Sequence, residues 1–296
     1  TSNGQTQQVN NSYFSHLALG FPVSKKVGMS FGLMPLSTRG YSYELVSQAS
    51  EDIGSVQKLY EGEGGISRFF LGMGVQVNDK LSIGMNGSYI FGKIQGAENV
   101  VFVDQGTFMN TRSLSRTTLH DFGMDFSVNY LVKMKEKRFI RFGIAYTPFN
   151  SVNSTNTNLV ENYKGNSNFP QIKDTASLVA NGKFQTELAE KYGVGILYRT
   201  KSQWLLGLDM DYSPWSNVET LGDLSYGDVM NLRLGGQKDF NKKIIFRFGA
   251  RYGQLYYVLN STSDNLVNEQ IEEMAVSLGV AIPIKRSFTS LDFGIE

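Results

Sequence analysis

Hydrophobic and polar positions alternate with a period of two along most of this chain. The clearest stretch runs from Gly227 to Leu259. Met230, Leu232 and Leu234 alternate there with Asn231, Arg233 and Gly235. After Asn241-Lys242-Lys243 the rhythm resumes, with Ile244, Phe246, Phe248, Ala250 and Tyr252 set against Ile245, Arg247, Gly249 and Arg251. Successive strand residues point to opposite faces, so two such runs around a short turn predict a β-hairpin. One face is apolar and ends in aromatics; the other is glycine, amide and arginine. A soluble sandwich turns the apolar face inward, whereas a transmembrane barrel turns it out to lipid.

The same rhythm recurs. Residues 13–22 and 27–43 flank Ser24-Lys25-Lys26, and residues 64–77 and 81–94 flank Asn78-Asp79-Lys80. Residues 119–132 and 139–148 flank the charged turn Lys133–Arg138, and 188–200 and 204–215 flank Lys201-Ser202-Gln203. A last pair, 274–283 and 288–296, flanks Lys285-Arg286-Ser287. The pattern predicts about six hairpins, or about twelve strands. Between hairpins, residues 44–59, 95–113 and 149–186 read as long polar loops, and residues 1–12 as a flexible N-terminal end. Residues 13–296 then form a single domain. Short basic turns facing long polar loops are the asymmetry of outer-membrane barrels. Trp204 to Tyr212, at about 3.3 Å per residue and a tilt of about 40°, rises roughly 20 Å, which suits an apolar band between aromatic girdles.

Composition narrows the choice. Charged residues make up 19% and aromatics 12%, with 31 glycines and no cysteine. The missing thiols exclude disulfide frameworks and thiolate metal sites. No apolar run is long enough for a membrane helix. A net charge of +1 gives no general attraction to nucleic acid. A soluble sandwich or propeller needs a polar outer strand face, and the polar faces here carry glycine and charges of both signs, as a packed lumen does. The fold class expected is an all-β transmembrane antiparallel meander barrel in the Gram-negative outer membrane, in contact with its lipid.

Tyr60–Gly92, YEGEGGISRFFLGMGVQVNDKLSIGMNGSYIFG, resembles the FadL/TodX family of outer-membrane transporters for long-chain fatty acids and other hydrophobic compounds. The likeness lies in Gly-Gly before a strand, the turn Asn78-Asp79-Lys80-Leu81 and the Ser-x-Gly pattern after it. The ending LDFGIE, Leu291–Glu296, is similar to the penultimate region of such proteins. The resemblance implies fourteen strands, an N-terminal hatch, passive diffusion of a hydrophobic small molecule, and a third-strand kink that opens the wall. The segment before Tyr13 is too short for a hatch, and twelve strands are visible, so the chain is expected to be a fragment. Gly62, Gly64 and Gly65 lead into the third strand and are the candidates for the lateral gate, with an ordinary turn as the alternative.

Catalysis finds little footing. His120 shares a face with Phe122 and Met124, and His16 with Ala18 and Gly20; no nucleophile motif accompanies either. Asp209 with Asp211, and Asp121 with Asp125, lie on single strand faces and could hold a cation. Arg141, Arg199, Arg233, Arg247 and Arg251 share the polar face, however, and inward charges of opposite sign are expected to neutralise one another. Asp209 and Asp211 are therefore read as partners of arginines such as Arg233. No cofactor or metal is expected. Pro35, Pro148 and Pro214 each remove a ladder donor and mark a bulge, strand end or gap. The function expected is passive transport of a hydrophobic small molecule. The alternative is a structural or secretion-accessory barrel whose long loops bind a protein partner.

Overall fold

The computed structural model describes residues 16–50, 54–103, 107–165, 169–218, 226–240, 244–260, 268–283 and 290–296. The flexible end at 1–12 and the turns at 241–243 and 285–287 lie outside the described residues.

Fourteen strands form one antiparallel sheet. They are β1 (Leu17–Pro22), β2 (Val27–Ser50), β3 (Gly54–Gln76), β4 (Leu81–Phe102), β5 (Asn110–Lys133), β6 (Phe139–Thr147), β7 (Asn150–Lys164), β8 (Gln171–Leu188), β9 (Lys191–Arg199), β10 (Trp204–Ser213), β11 (Val229–Phe240), β12 (Ile244–Asn260), β13 (Asn268–Pro283) and β14 (Ser290–Ile295). The main path runs β1-β2-β3-β4-β5-β6-β9-β10-β11-β12-β13-β14, the six hairpins of the sequence pattern. Among the described residues the path stays open between β1 and β14. The two further strands, β7 and β8, lie within the stretch read as the longest loop. They form a hairpin attached to β5.

The apolar faces point away from any core. Trp204, Leu206, Leu208, Met210 and Tyr212 lie opposite Lys238, Gly236, Leu234, Leu232 and Met230 in register. Leu234 is 54% exposed, Val276 71% and Phe122 73%. The accessible surface is 20960 Å², where a compact soluble protein of this size exposes about 12,500 Å². Burying these side chains in lipid, at roughly 25 cal/mol per Å², accounts for an arrangement that water would not tolerate. Nitroxides at 206 and 208 are expected to be relaxed by lipid-soluble oxygen, and those at 207 and 209 by a water-soluble nickel chelate. The opposite pattern would make this surface a soluble core.

Three expected loops are strands instead. Residues 44–50 continue β2, residues 54–59 open β3, residues 95–102 extend β4, and residues 110–113 begin β5. The cause is lateral pairing: Tyr43 meets Tyr60, Tyr60 meets Glu98, and Glu98 meets Ser113, so each polar segment finds a ladder on at least one side. The 22 residues of β4 span roughly 70 Å, or about 55 Å at a tilt of about 40°. An apolar band is about 25 Å tall. Half of each of β2 to β5 therefore stands as a wall beyond the band, and β7–β8 completes it.

β5 forks. Its residues Phe126–Lys133 pair with β6, and its residues Asn110–Leu119 pair with β7. At the fork a small core forms from Ile90, Leu119 and Val152, with Ile66 and Leu188 packed against it.

Candidate functional site

The polar face carries most of the residues singled out from the sequence. At the fork, Asp121 accepts hydrogen bonds from the Asn153 backbone N–H (3.0 Å), the Asn153 side-chain amide (2.8 Å) and the Phe122 N–H (2.7 Å). Asp125 accepts from the Thr147 hydroxyl (2.7 Å) and pairs with Arg68 at 3.2 Å. Asp121 thus fastens β7 where it joins β5, and Asp125 fastens the end of β6 where it departs. The two carboxylates have separate partners and do not form a cation site; no metal cluster occurs among the described residues.

Arg233 takes Asp211, one of the two carboxylates expected for it, and not Asp209. Its direct cross-strand neighbour is Asp209, yet its guanidinium forms two hydrogen bonds of 2.9 Å with the diagonal carboxylate of Asp211. Asp211 also pairs with Lys191 at 3.1 Å. The planar guanidinium engages both oxygens of that carboxylate. Arg247 pairs with Asp292 at 3.0 Å, and Arg251 with Glu273 at 3.2 Å and Glu296 at 2.6 Å. Arg141 lies 5.8 Å from the Phe139 ring. Replacing Asp211 with alanine is expected to cost about 1–2 kcal/mol in urea unfolding, because it strands two cations. Asp209→Ala should cost less than half as much. Equal losses would restore Asp209 as the partner.

Gly62, Gly64 and Gly65 lie inside β3 rather than before it. Gly62 pairs with Tyr41 and Gly96, Gly64 with Arg39 and Ile94, and Gly65 with Thr38 and Lys93. A register shift between Pro35 and Ser37 of β2 is the nearby irregularity. Pro35 thus marks a bulge, while Pro148 and Pro214 follow the ends of β6 and β10. Gly64 has φ +109°, and a Cβ there would strike the Lys93 carbonyl oxygen. Gly62 leaves room for the Tyr41 ring.

Sequence reasoning missed the aromatic groups of the long-strand end. Tyr41 and Tyr43 have ring centroids 5.7 Å apart, and Tyr43 stacks on Tyr60 at 5.0 Å. Arg39 lies 5.0 Å from the Tyr41 ring and donates to its hydroxyl at 2.6 Å. Tyr41 and Tyr43 are exposed. Farther round the sheet, Trp215 stacks on Tyr256 at 4.5 Å, and Tyr226 packs edge-on against Tyr256 at 5.4 Å. Tyr256 donates to the Tyr257 hydroxyl at 3.0 Å. Burial, then the Tyr257 hydroxyl, pushes the Tyr256 phenol up. Nearby, the Ser216 hydroxyl, followed by that of Tyr212, holds the Asp228 carboxyl below the usual range. The spacing Tyr41-x-Tyr43 was the available signal, but it lay at the edge of a segment read as loop.

Two cavities accompany these faces. One, of about 400 Å³ at the short-turn end, is lined by Lys26, Gly28, Gln76, Gly84, Ser127 and Asn129. The other, of about 640 Å³, lies on the wall among Glu61, Glu63, Gln95, Leu114, Arg116 and Leu159.

The architecture is shared with solved outer-membrane proteins. A Pseudomonas aeruginosa FadL homologue superposes with a TM-score of 0.59 at 12% identity, covering 94% of this chain and 68% of its own. The Ralstonia pickettii toluene transporter TbuX gives 0.57 at 14% identity, covering 94% and 74%. The CymD monoaromatic hydrocarbon channel gives 0.57 at 13% identity, covering 94% and 75%. No curated protein matches this chain. The resemblance read from the sequence therefore holds for the fold, which is that of FadL-type barrels. The BamG family model matches residues 1–296, and the chain belongs to the BamG family.

Proposed function

We propose that this chain is an accessory barrel of the Gram-negative outer membrane that binds a protein partner through its long-strand end. The observation that carries this reading is the wall above the apolar band with its exposed Arg39–Tyr41–Tyr43 ladder. Tyrosine, tryptophan and arginine supply the hot spots of protein interfaces, because each offers large contact area with a polar handle. Short turns face the periplasm in such barrels, which puts the wall outside. The Bam-related family match supports the outer-membrane placement. Full-length protein extracted from native outer membranes in mild detergent should migrate as a defined complex. Serine at both Tyr41 and Tyr43 should weaken that complex at least 100-fold, from about 2 kcal/mol per hot-spot side chain. Migration as a lone barrel would end this reading.

A second reading is passage of a hydrophobic small molecule, favoured by the fold shared with hydrocarbon channels. In it, Asp121, Asp125, Arg141, Asp209, Asp211, Arg233, Arg247 and Arg251 line the lumen. The ion pairs among and around them keep that lumen polar: Arg233 with Asp211, and Asp125, Arg247 and Arg251 with charged residues outside this group. This reading rests on fold likeness alone. Toluene and oleate uptake into proteoliposomes tests it: a rate equal to that of empty liposomes sets it aside.

A further inference from the structure

Among the described residues the wall has two open edges, and they differ. On one side β1 covers β2 only from Gly28 to Leu33, leaving the upper part of β2 without a pairing partner among the described residues. That edge bears Pro35 and the charges of Arg39 and Glu44, which discourage further pairing. On the other side stands β8, which among the described residues pairs with β7 alone, its register against β7 shifting by one residue at Ala176. Residues Gln171–Asn181 of β8 are all exposed, with Leu178 at 59% and Val179 at 52%. Thr175-Ala176-Ser177-Leu178-Val179-Ala180 contains no charge, proline or glycine. Such a run on an open edge is the composition that recruits another strand, and natural edges normally avoid it.

The outer face points the same way. A cross-strand row passes from Ala97 to Leu114, Leu159 and Leu178, ending apolar at the open edge. It borders the 640 Å³ cavity.

We propose that β8 receives an extended segment of a second protein by strand addition over Thr175–Ala180. That segment is uncharged over six residues and places an apolar side chain beside Leu178, extending the row by one strand. The charges flanking the run, Lys173 and Asp174 above and Lys183 below, set its length, since a charged residue within the window would lie against a neutral, apolar neighbour. A second copy of this chain does not fit. β8 follows the ladder of β5 through β7, so two copies upright in one membrane would present their β8 strands in the same sense. A two-fold axis along the membrane normal sets each residue level with itself, whereas a parallel ladder needs facing residues one step out of phase. The proposal rests on the partner-binding reading above and adds its mode.

The test is amide hydrogen exchange on the full-length protein, in native outer membranes and after purification to a lone barrel. Expected in membranes is at least 100-fold protection at alternate residues of Ser177–Ala180, lost on purification. Proline is then placed at Ser177 and at Leu178 separately. One of these adjacent N–H groups faces β7 and the other the open edge. The edge-facing variant, identified by an unchanged β7–β8 exchange pattern, should shorten complex lifetime at least tenfold. A complex that forms while β8 exchanges freely, or that ignores the edge-facing proline, overturns strand addition and leaves the partner-binding reading intact. Free exchange with no complex at all overturns both. Protection accompanied by a crosslinked homodimer overturns the choice of a second protein.

Discussion

Valine at position 64 is expected to abolish assembly of the barrel, and valine at position 40 to leave it unchanged. Gly64 sits in the middle of β3 at φ +109°, with a ladder partner on either side. An L side chain there meets two costs. The backbone conformation alone carries about 1–3 kcal/mol. The Cβ also strikes the Lys93 carbonyl oxygen, and forcing atoms into packed space typically costs a further 1–3 kcal/mol or so. Together these approach the whole net stability of many domains, on the order of 5 kcal/mol. Gly40 lies one row away on β2 with nothing within 4 Å of an added Cβ. Heat-modifiable migration on a denaturing gel separates folded from unfolded barrel. If Gly64→Val folds like Gly40→Val, the positive φ is not required and the segment is a plain strand. This expectation also bears on the lateral gate read from the sequence: a valine that prevents folding cannot report on passage through the wall.

Removing both carboxylates at the fork, Asp121→Ala with Asp125→Ala, is expected to release the β7–β8 hairpin while the main path of strands stays intact. Asp121 accepts three hydrogen bonds, two of them from Asn153. Asp125 holds Thr147 and Arg68. Hydrogen bonds to charged groups contribute on the order of 1.5–3 kcal/mol each when buried and less in contact with water, so the double variant should lose about 2–4 kcal/mol of hairpin attachment. Trypsin added to intact cells should then cut after Lys173 or Lys183 at least tenfold faster, with heat-modifiable migration preserved. Arg112–Glu161, paired at 2.6 Å higher on the same ladder, still holds the hairpin's upper part, so cleavage should be faster rather than immediate. Unchanged cleavage would mean that the ladder from Asn110 to Leu119 alone secures the hairpin.

How far the sequence showed this fold depends on the apolar period. Where one strand face meets lipid, as from Trp204 to Tyr212 or Phe122 to Tyr130, alternation is strict and the hairpins fall in place. Above the band both faces meet water, and the signal vanishes. TRSLSRTT in β5 and NSVNSTNTNLV in β7 read as loops because Asn, Ser and Thr serve turns as readily as strands. Only pairing with a neighbour makes them strands, and pairing is not a local property. The site residues divide in the same way. That Asp209, Asp211 and Arg233 share a face follows from parity; that Arg233 reaches past Asp209 to Asp211 depends on side-chain length and sheet geometry. Tyr60, stacked on Tyr43, belongs to the next strand, so their contact is not a local property of either segment.

The fork in β5 has a mechanical consequence. One unbroken strand belongs to two ladders, so the hairpin and the membrane band share a backbone. A pull on β8 along its length loads the ten residue pairs between β5 and β7 at once, in shear. A pull sideways opens them one at a time, from the Tyr163 end or the Ser154 end. The wall therefore resists tension directed away from the membrane and yields to tension across it, and the pins at Asp121 and Asp125 stand where such peeling would reach the barrel.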